Sequence, residues 1–311
     1  MTADNAAVVA AALTLDALLG EPPEGLHPTV WMGRAISSCE GPALELTTAS
    51  RRRVAGFLLA AVLPAAAFLA CRSLLRAAPH RARPALEAAL LSTTLSMRGL
   101  GAAAQGVRSE LAGGRLDGAR SRVGEFVGRD TADLPETEVC RAAVESVAEN
   151  TSDGVVGPMF YGLLFGAPGA LAYKAINTVD SMIGYRNPRH GDLGRAGARL
   201  DDLANLLPAR LTVLAVAASS RHPGGVVSTA LRYGPLTASP NAGYAEAAFA
   251  GALGVRLGGT NRYGGVERPG PLLGDGRPPT ADDLGRAVAL MRRACVVLAL
   301  AALLLEDARR G

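Results

Sequence analysis

Lysine is almost missing from this chain. Of 32 basic residues among 311, only Lys174 is a lysine, and it sits in Ala172-Tyr173-Lys174-Ala175. A glycine-rich phosphate loop ending in GK[S/T] is therefore excluded, and any nucleotide must bind by other means. Aromatic residues make up 4% of the chain, too few for base-stacking platforms. Nucleic acid is not an expected partner, despite a net charge of +4 and a pI near 9.1. The four cysteines (Cys39, Cys71, Cys140, Cys295) are far apart and form no CxxC pair. Cys71 and Cys295 lie in apolar runs, so buried free thiols are expected rather than disulfides or metal ligands. The four histidines form no HExxH motif, and there is no GxSxG elbow. The opening residues MTADN lack a basic stretch, so a cleaved secretory signal is not expected. Charge itself is scarce, at 19% against about 25% in a typical soluble domain.

What fills the space is apolar. The chain is 49% hydrophobic with a mean hydropathy of +0.20. An alanine-rich soluble protein would share that composition; the lengths of the apolar runs favour a membrane. Residues 154–173 carry no charged side chain, and about 20 such residues cross a bilayer core. Residues 54–71 are likewise uncharged, with Arg51, Arg52 and Arg53 before them and Arg72 after, so basic residues on both sides leave the orientation open. Pro64 within this run predicts a kink. Residues 203–220 form a third expected span, 294–305 a shorter apolar run, 6–19 a short apolar helix and 85–104 a weaker one. Pro22, Pro23 and Pro28 break the chain between helices. Gly/Pro-rich stretches at 221–240 and 257–280 read as loops. With no repeat and no low-complexity linker, the expectation is an all-α, polytopic membrane bundle. It forms a single helical domain over 1–311, with polar surface helices and a polar insert at about 105–150.

Four groups of polar residues border these runs. Asp133-Leu-Pro-Glu136 reads as a capping box opening a helix. That helix carries Glu138, Arg141, Glu145 and Glu149 at i+3 and i+4 spacing and runs into Asn150-Thr-Ser152-Asp153. Such hard oxygen donors suit magnesium; they equally suit a solvated helix end and a turn. Lys174, Asn177 and Ser181 share a helical stripe with Asp180 at its edge. They could meet a phosphate and a metal, or Lys174 could snorkel and pair with Asp180. Asp201, Asp202 and Asn205 have i+3 and i+4 spacings that let all three face one point, as a magnesium–phosphate site would want; adjacent carboxylates repel unless a cation lies between them. Ser239-Pro240-Asn241 opens a helix, with Ser239 as N-cap, and an exposed helix start also attracts anions. Arg129 and Arg186 are candidate phosphate partners, with surface charge as the plainer alternative. Ionisable groups at membrane depth are costly and point to function by default.

Five stretches, taken together, resemble a known family: LDALLGEPPEGLHPTVWMGR (15–34), VGRDTADLPETEVCRAAVESVAENTSDGVVGPMFY (127–161), LAYKAINTVDSMIGYRNPRH (171–190), ARLDDLANLLPARLT (198–212) and SPNAGYAEAAFAGALGVRLGG (239–259). In order, and over nearly the whole chain, they resemble the CobD/CbiB family of cobalamin biosynthesis, the adenosylcobinamide-phosphate synthases. Tyr244 stands where that family's pattern has tryptophan. The resemblance implies a multi-pass enzyme of the cytoplasmic membrane. It would use ATP and Mg2+ to join the carboxylate of adenosylcobyric acid, a corrinoid, to (R)-1-amino-2-propanol phosphate or the free aminopropanol. Other membrane enzymes of the cobalamin pathway are further expected partners, beside the lipid bilayer.

Chemically, a carboxylate does not condense with an amine at neutral pH without activation, and an acyl phosphate supplies the leaving group. On that reading Glu149, Asp153, Asp180, Asp201 and Asp202 share the metal and phosphate work. Lys174, Arg129 and Arg186 neutralise phosphate. Asn150, Ser152, Asn177, Asn205, Ser239 and Asn241 bind and orient substrate groups. Two rivals use the same residues: a transporter whose polar groups line a path, and a non-catalytic membrane accessory protein whose acids form only structural pairs.

Overall fold

A computed structural model describes residues 5–185, 187 and 189–310. In chain order the helices are α1 (Asn5–Leu19), α2 (Pro28–Leu44), α3 (Ala49–Ala77), α4 (Arg83–Ser92), α5 (Met97–Ala112), α6 (Leu116–Gly124), α7 (Glu136–Thr151), α8 (Gly157–Ile183), α9 (Arg195–Ala204), α10 (Leu206–Ala218), α11 (Pro223–Tyr233), α12 (Ala242–Leu253) and α13 (Ala281–Asp307). A π turn over Ser152–Val156 follows α7. The strands β1 (Leu257–Gly258), β2 (Asn261–Tyr263), β3 (Val266–Arg268) and β4 (Leu272–Leu273) pair only as two antiparallel ribbons, β1 with β4 and β2 with β3. The architecture is an all-α membrane bundle, as the apolar runs predict.

Among the described residues, three helical stretches are long and apolar enough to cross a membrane: Ala49–Ala77, Glu136–Ile183 and Ala281–Asp307. The first two contain the expected spans 54–71 and 154–173. The third was visible in sequence only as the run 294–305, because Arg292 and Arg293 cut its apolar pattern short. The expected span 203–220 is corrected. Asn205 interrupts the helix there, and α10 keeps 13 residues, about 20 Å against a core of roughly 30 Å. The run at 85–104 is likewise two helices, α4 and α5, and the stretch at 221–240 contains α11, started by Pro223 in its first turn.

The chain packs as two compact units. The first comprises residues 1–96, 157–206 and 302–311; the second comprises 97–156 and 207–301. In the first unit α3 lies along α8 and α9, while α1 and α4 pack together and against α8. Ile36, Val179, Ile183 and Leu193 form a buried core with Leu59, Leu63 and Met182 against it, which holds the polar end of α8 in place. Thr48 starts α3 by accepting the Arg51 N–H at 3.3 Å. The helix then passes through buried Pro64. Phe57, Leu58, Val62 and Leu69 are exposed along it, as expected of a surface facing lipid.

α8 is broken inside its apolar stretch. Gly166 has φ 70° and ψ −165°, a conformation that only glycine takes without strain. Pro168 follows, in the first turn of the second half. The buried Ala167 N–H, left without a helical partner by the break, donates to Glu87 Oε1 at 3.2 Å. The acid that makes the 85–104 run look weak as an apolar helix is thus the cap of another helix.

In the second unit α7 packs against α5, α6 and α12, and almost every side chain from Val139 to Ala148 is buried. The capping box expected at Asp133 is not formed. Pro135 occupies the N-cap position with an extended backbone and no side-chain cap, and Asp133 instead lies 3.7 Å from Arg262. At α12 the helix starts two residues after the expected Pro240, yet Ser239 Oγ still accepts the N–H groups of Asn241 and Ala242 at 3.2 and 3.3 Å. Cys71, Cys140 and Cys295 are buried free thiols, and Cys39 is an exposed one.

Candidate functional site: an amide-held acid and an arginine-held acid

In the first unit, the last turns of α8 meet α9. Asp201 is buried on α9, and its carboxylate is held by amides. Asn177 Nδ2 donates to Oδ1 at 3.3 Å, and Asn205 Nδ2 donates to Oδ2 at 3.0 Å. Asn205 in turn accepts the Tyr173 hydroxyl proton at 2.6 Å. Tyr173 is fully buried, stacked on Tyr161 with ring centroids 5.0 Å apart. Its ring occupies the space where a side chain on Gly157 would stand, so only glycine fits there. Tyr161 extends the frame by donating to the Ala204 carbonyl at 3.0 Å. The resulting chain, Tyr173–Asn205–Asp201–Asn177, links an apolar span to the polar helix beyond it.

Burial pushes the Asp201 carboxyl above its ordinary range. The two amide hydrogen bonds and the nearby Lys174 charge work in the opposite direction, while the neighbouring Asp202 adds to the rise. Lys174, Asn177 and Asp180 are half-buried on successive turns of α8. Spacing let Asp201, Asp202 and Asn205 face one point; in the structure Asp201 and Asn205 are hydrogen-bonded, and Asp202 bears on Asp201 through its charge. Asp202, one residue on and so about 100° around the helix, lines a cavity of about 570 Å³ with Tyr185, Asn187, Arg195 and Arg199. Arg186 lies outside the described residues.

The second unit holds a differently built cluster. Glu145 is buried on α7. Its Oε2 accepts from Arg129; its Oε1 accepts from Arg141 at 2.9 Å and from the Gly258 N–H at 2.6 Å. Arg141 also reaches Glu138, the Thr260 carbonyl at 3.1 Å and Asn261 Oδ1 at 3.0 Å, and Arg129 bonds the same Asn261 oxygen at 2.8 Å. The guanidinium of Arg129, a candidate phosphate partner, is thus engaged within the protein. It also borders a cavity of about 460 Å³ with Asp130, Asp133, Arg262 and Glu267. Glu149 is exposed, one turn beyond Glu145, and Asn150 donates back to Ser146 at 3.0 Å. Ser152 and Asp153 lie in the π turn, a local widening that recurs at functional sites, and the Ser152 hydroxyl is buried with no hydrogen-bond partner. Asn241 accepts from Arg210 at 2.7 Å, and that guanidinium lies 4.0 Å over the Tyr244 ring. The aromatic at the position of the family's tryptophan is thus a cation–π platform.

Glu246 was no more than part of a helix-start pattern in the sequence. In the structure it lies on α12 with the charges of Glu145 and Glu149 around it. Burial first, then those two carboxylates, push its carboxyl well above the ordinary range against the opposing pull of Arg129 and Arg141. Glu145 had a sequence signal in its spacing from Arg141 and Glu149; Tyr173 had none beyond an apolar run. Among the described residues, no three of the histidine, cysteine, aspartate and glutamate side chains are grouped to hold a metal. Magnesium requires fewer, since one or two carboxylates with phosphate oxygens and water complete its shell.

Helices long and apolar enough to cross a membrane, with a cluster of acids, amides and tyrosines toward the end of one of them, define an all-α membrane bundle that carries a polar site. The chain belongs to the CobD/Cbib family: the family's model, "CobD/Cbib protein", matches residues 9–291. It is 44% identical over 307 residues to the cobalamin biosynthesis protein CobD of Geobacter metallireducens, covering 96% of each chain. It is 44% identical over 290 residues to the CobD of Chromobacterium violaceum, covering 91% of this chain and 90% of the relative. It is 38% identical over 312 residues to the cobalamin biosynthesis protein CbiB of Salmonella typhimurium, covering 96% of each. No solved structure matches the chain.

Proposed function

We propose that this chain is a cobalamin-biosynthesis enzyme of the cytoplasmic membrane, multi-pass, that ligates adenosylcobyric acid to (R)-1-amino-2-propanol phosphate or aminopropanol, consuming ATP. Family membership supports the pathway. The observation that supports the chemistry is the Asn177–Asp201–Asn205 arrangement beside Lys174: a buried acid kept accessible to a cation or proton by neutral amides.

The reaction divides into two balanced steps. The substrate carboxylate oxygen attacks the γ-phosphorus of ATP, giving an acyl phosphate and ADP. The amine nitrogen then attacks the acyl carbon; inorganic phosphate leaves with the bonding pair, and the nitrogen loses one proton. Lys174 neutralises phosphate oxygens as charge builds on them. Asp201 offers hard oxygen donors with lone pairs beyond the two amide bonds, which fits Mg2+, and that ion would supply further charge neutralisation at phosphate. Asn177 and Asn205 fix the Asp201 rotamer, and Tyr173 fixes Asn205. Glu246, whose carboxyl is biased toward its protonated form by burial and by the charges of Glu145 and Glu149, gives the second unit a candidate proton donor.

The test is incubation of the detergent-solubilised protein with adenosylcobyric acid, ATP, magnesium and each amine in turn, followed by product mass. The expected product is the amide, formed with one ADP per turnover. Absence of both amide and ADP under conditions where the protein is folded overturns the proposal. One observation favours transport as a second reading: α8 is a broken helix whose second half is capped by an acid within an apolar stretch, as in transporter helices. Uptake of corrinoid into vesicles without ATP-dependent amide formation would select it.

A further inference from the structure

Two arginines of the first unit, which line the cavity beside Asp202, also border a second one. Arg195 and Arg199 sit one turn apart on α9, exposed, and neither makes a hydrogen bond or ion pair among the described residues. They border a cavity of about 640 Å³ between α9 and α3. The rest of its wall is chiefly apolar, with exposed Phe57 and Ala61 from α3 and exposed Leu203 from α9. Arg53 stands at the polar end, its Nε 2.8 Å from Asp192 Oδ1, so its charge is largely matched. The apolar end continues into the exposed hydrocarbon face of a helix long enough to cross the bilayer.

The order of groups along this groove is therefore guanidiniums, then an aromatic ring, then an aliphatic trough. α9 turns Arg195, Arg199 and Leu203, at i, i+4 and i+8, toward the groove with Leu200 beside them, so cationic and apolar groups follow one another along one stripe. Arg51, Arg52 and Arg53, at the start of α3, mark the same level. A soluble anion would use the arginines and leave the trough exposed. A neutral sterol would use the trough and leave two cations uncompensated, and a zwitterionic lipid would bring its own cation beside them along with its phosphate. One chemistry satisfies both ends: a phosphate monoanion carried on an acyl chain. Arginine binds phosphate oxygens in a fork of parallel hydrogen bonds.

We propose that the groove between α3 and α9 is a binding site for one anionic phospholipid, its headgroup phosphate on Arg195 and Arg199 and one acyl chain along Phe57, Ala61 and Leu203. This does not depend on the ligase reading, because its readout is bound lipid and not turnover.

The experiment uses the full chain in detergent, titrated with phosphatidylglycerol or phosphatidylcholine of matched chains, with bound lipid counted by native mass spectrometry. Phosphatidylglycerol is expected to bind one per chain and roughly tenfold or more tighter than phosphatidylcholine. R195Q/R199Q should erase that preference. A61W, which fills the trough and spares the arginines, should weaken both lipids together. Helical circular dichroism of each variant confirms folding. As a check that needs no groove variant losing function, F57W in a W31F background should be quenched by brominated phosphatidylglycerol more strongly than by brominated phosphatidylcholine. Equal affinity for the two lipids overturns the proposal. So does full displacement by millimolar glycerol phosphate, which would mark a soluble-phosphate site, as does a lipid preference unchanged in R195Q/R199Q or an affinity for both lipids unchanged in A61W.

Discussion

Each unit of this protein buries an acid at a polar cluster, and the two acids are treated in opposite ways. Glu145 is surrounded by two arginines and a backbone N–H, with its side chain 4% exposed. Its charge is matched and its oxygens are occupied. Asp201 is held by two neutral amides, with a lysine near and, among the described residues, no guanidinium on it. An acid matched by arginine is a strut: fixed and unavailable. An acid held by amides is positioned while its charge stays open to a proton, a cation or a phosphate-bound metal. The contrast assigns architecture to the first and chemistry to the second, and it can be broken from either side.

The largest effect should come from the strut. Replacing Glu145 with glutamine puts an amide NH2 against donors and leaves Arg129 and Arg141, 12% and 6% exposed, without their common counter-charge. Breaking a buried ion pair by removing one partner costs about 3–5 kcal/mol. E145Q is expected to lower the melting temperature sharply and reduce the yield of folded protein. A variant that melts like the parent but loses turnover would instead move Glu145 into the chemistry.

Next comes D201N. It is nearly isosteric, and per folded molecule turnover should fall at least about 100-fold, equivalent to about 2.7 kcal/mol of transition-state stabilisation. The pH dependence has a definite sign. The folded-state pKa of Asp201 is raised above 3.8, so the folded protein binds this proton more tightly than the unfolded chain does. Its contribution to stability is greatest below 3.8 and declines as pH rises through the folded value. The melting temperature of wild type relative to D201N should therefore fall between acidic and neutral pH. The opposite trend would mean that the carboxylate is stabilised as an ion, and the contrast with Glu145 would fail.

Glu246 sharpens the comparison because it has neither device. Burial and the charges of Glu145 and Glu149 raise its pKa, so ionising it near pH 8 costs stability. E246Q should raise the melting temperature at pH 8 and change it less at pH 5, where the parent is more nearly neutral. Two Glu→Gln changes in one unit would then act with opposite sign. If both destabilise, Glu246 is ionised and paired, and a role for it as a proton-exchanging acid is excluded.

Much of this was readable from the sequence, for reasons that also explain what was not. The spans containing 54–71 and 154–173 are continuous in sequence, and the amide–acid cluster joins Asn177 to Asp201 across only 24 residues. Family motifs cover both. α13 was under-read and α10 over-read because hydropathy along a line registers Arg292 and Arg293 as an end and passes over Asn205, whereas the helix extends through the first and halts at the second. The Glu145 clamp was unreadable in its essential part. Gly258, Thr260 and Asn261 arrive more than 110 residues later, from two short strands and the link between them, in a stretch that read as loop. Local spacing reveals which side of a helix is acidic. It does not reveal whether arginine or amide will meet that side, and here that choice separates strut from site.

The smallest predicted effect is the most specific test of the amide-held design. Y173F removes one hydroxyl, which donates to Asn205 at 2.6 Å from a fully buried ring. The ring stays stacked on Tyr161, so packing is kept and only a hydrogen bond is lost, worth about 1 kcal/mol. If Tyr173 merely fills space, stability and turnover are unchanged. If it fixes the Asn205 rotamer and through it Asp201, turnover should fall roughly fivefold to tenfold, by the same 1 kcal/mol expressed in the rate. The KM for ATP should change little, because the hydroxyl lies two links from Asp201. A loss of stability with full turnover would place the tyrosine in the frame of the unit and out of the chain of contacts leading to its acid.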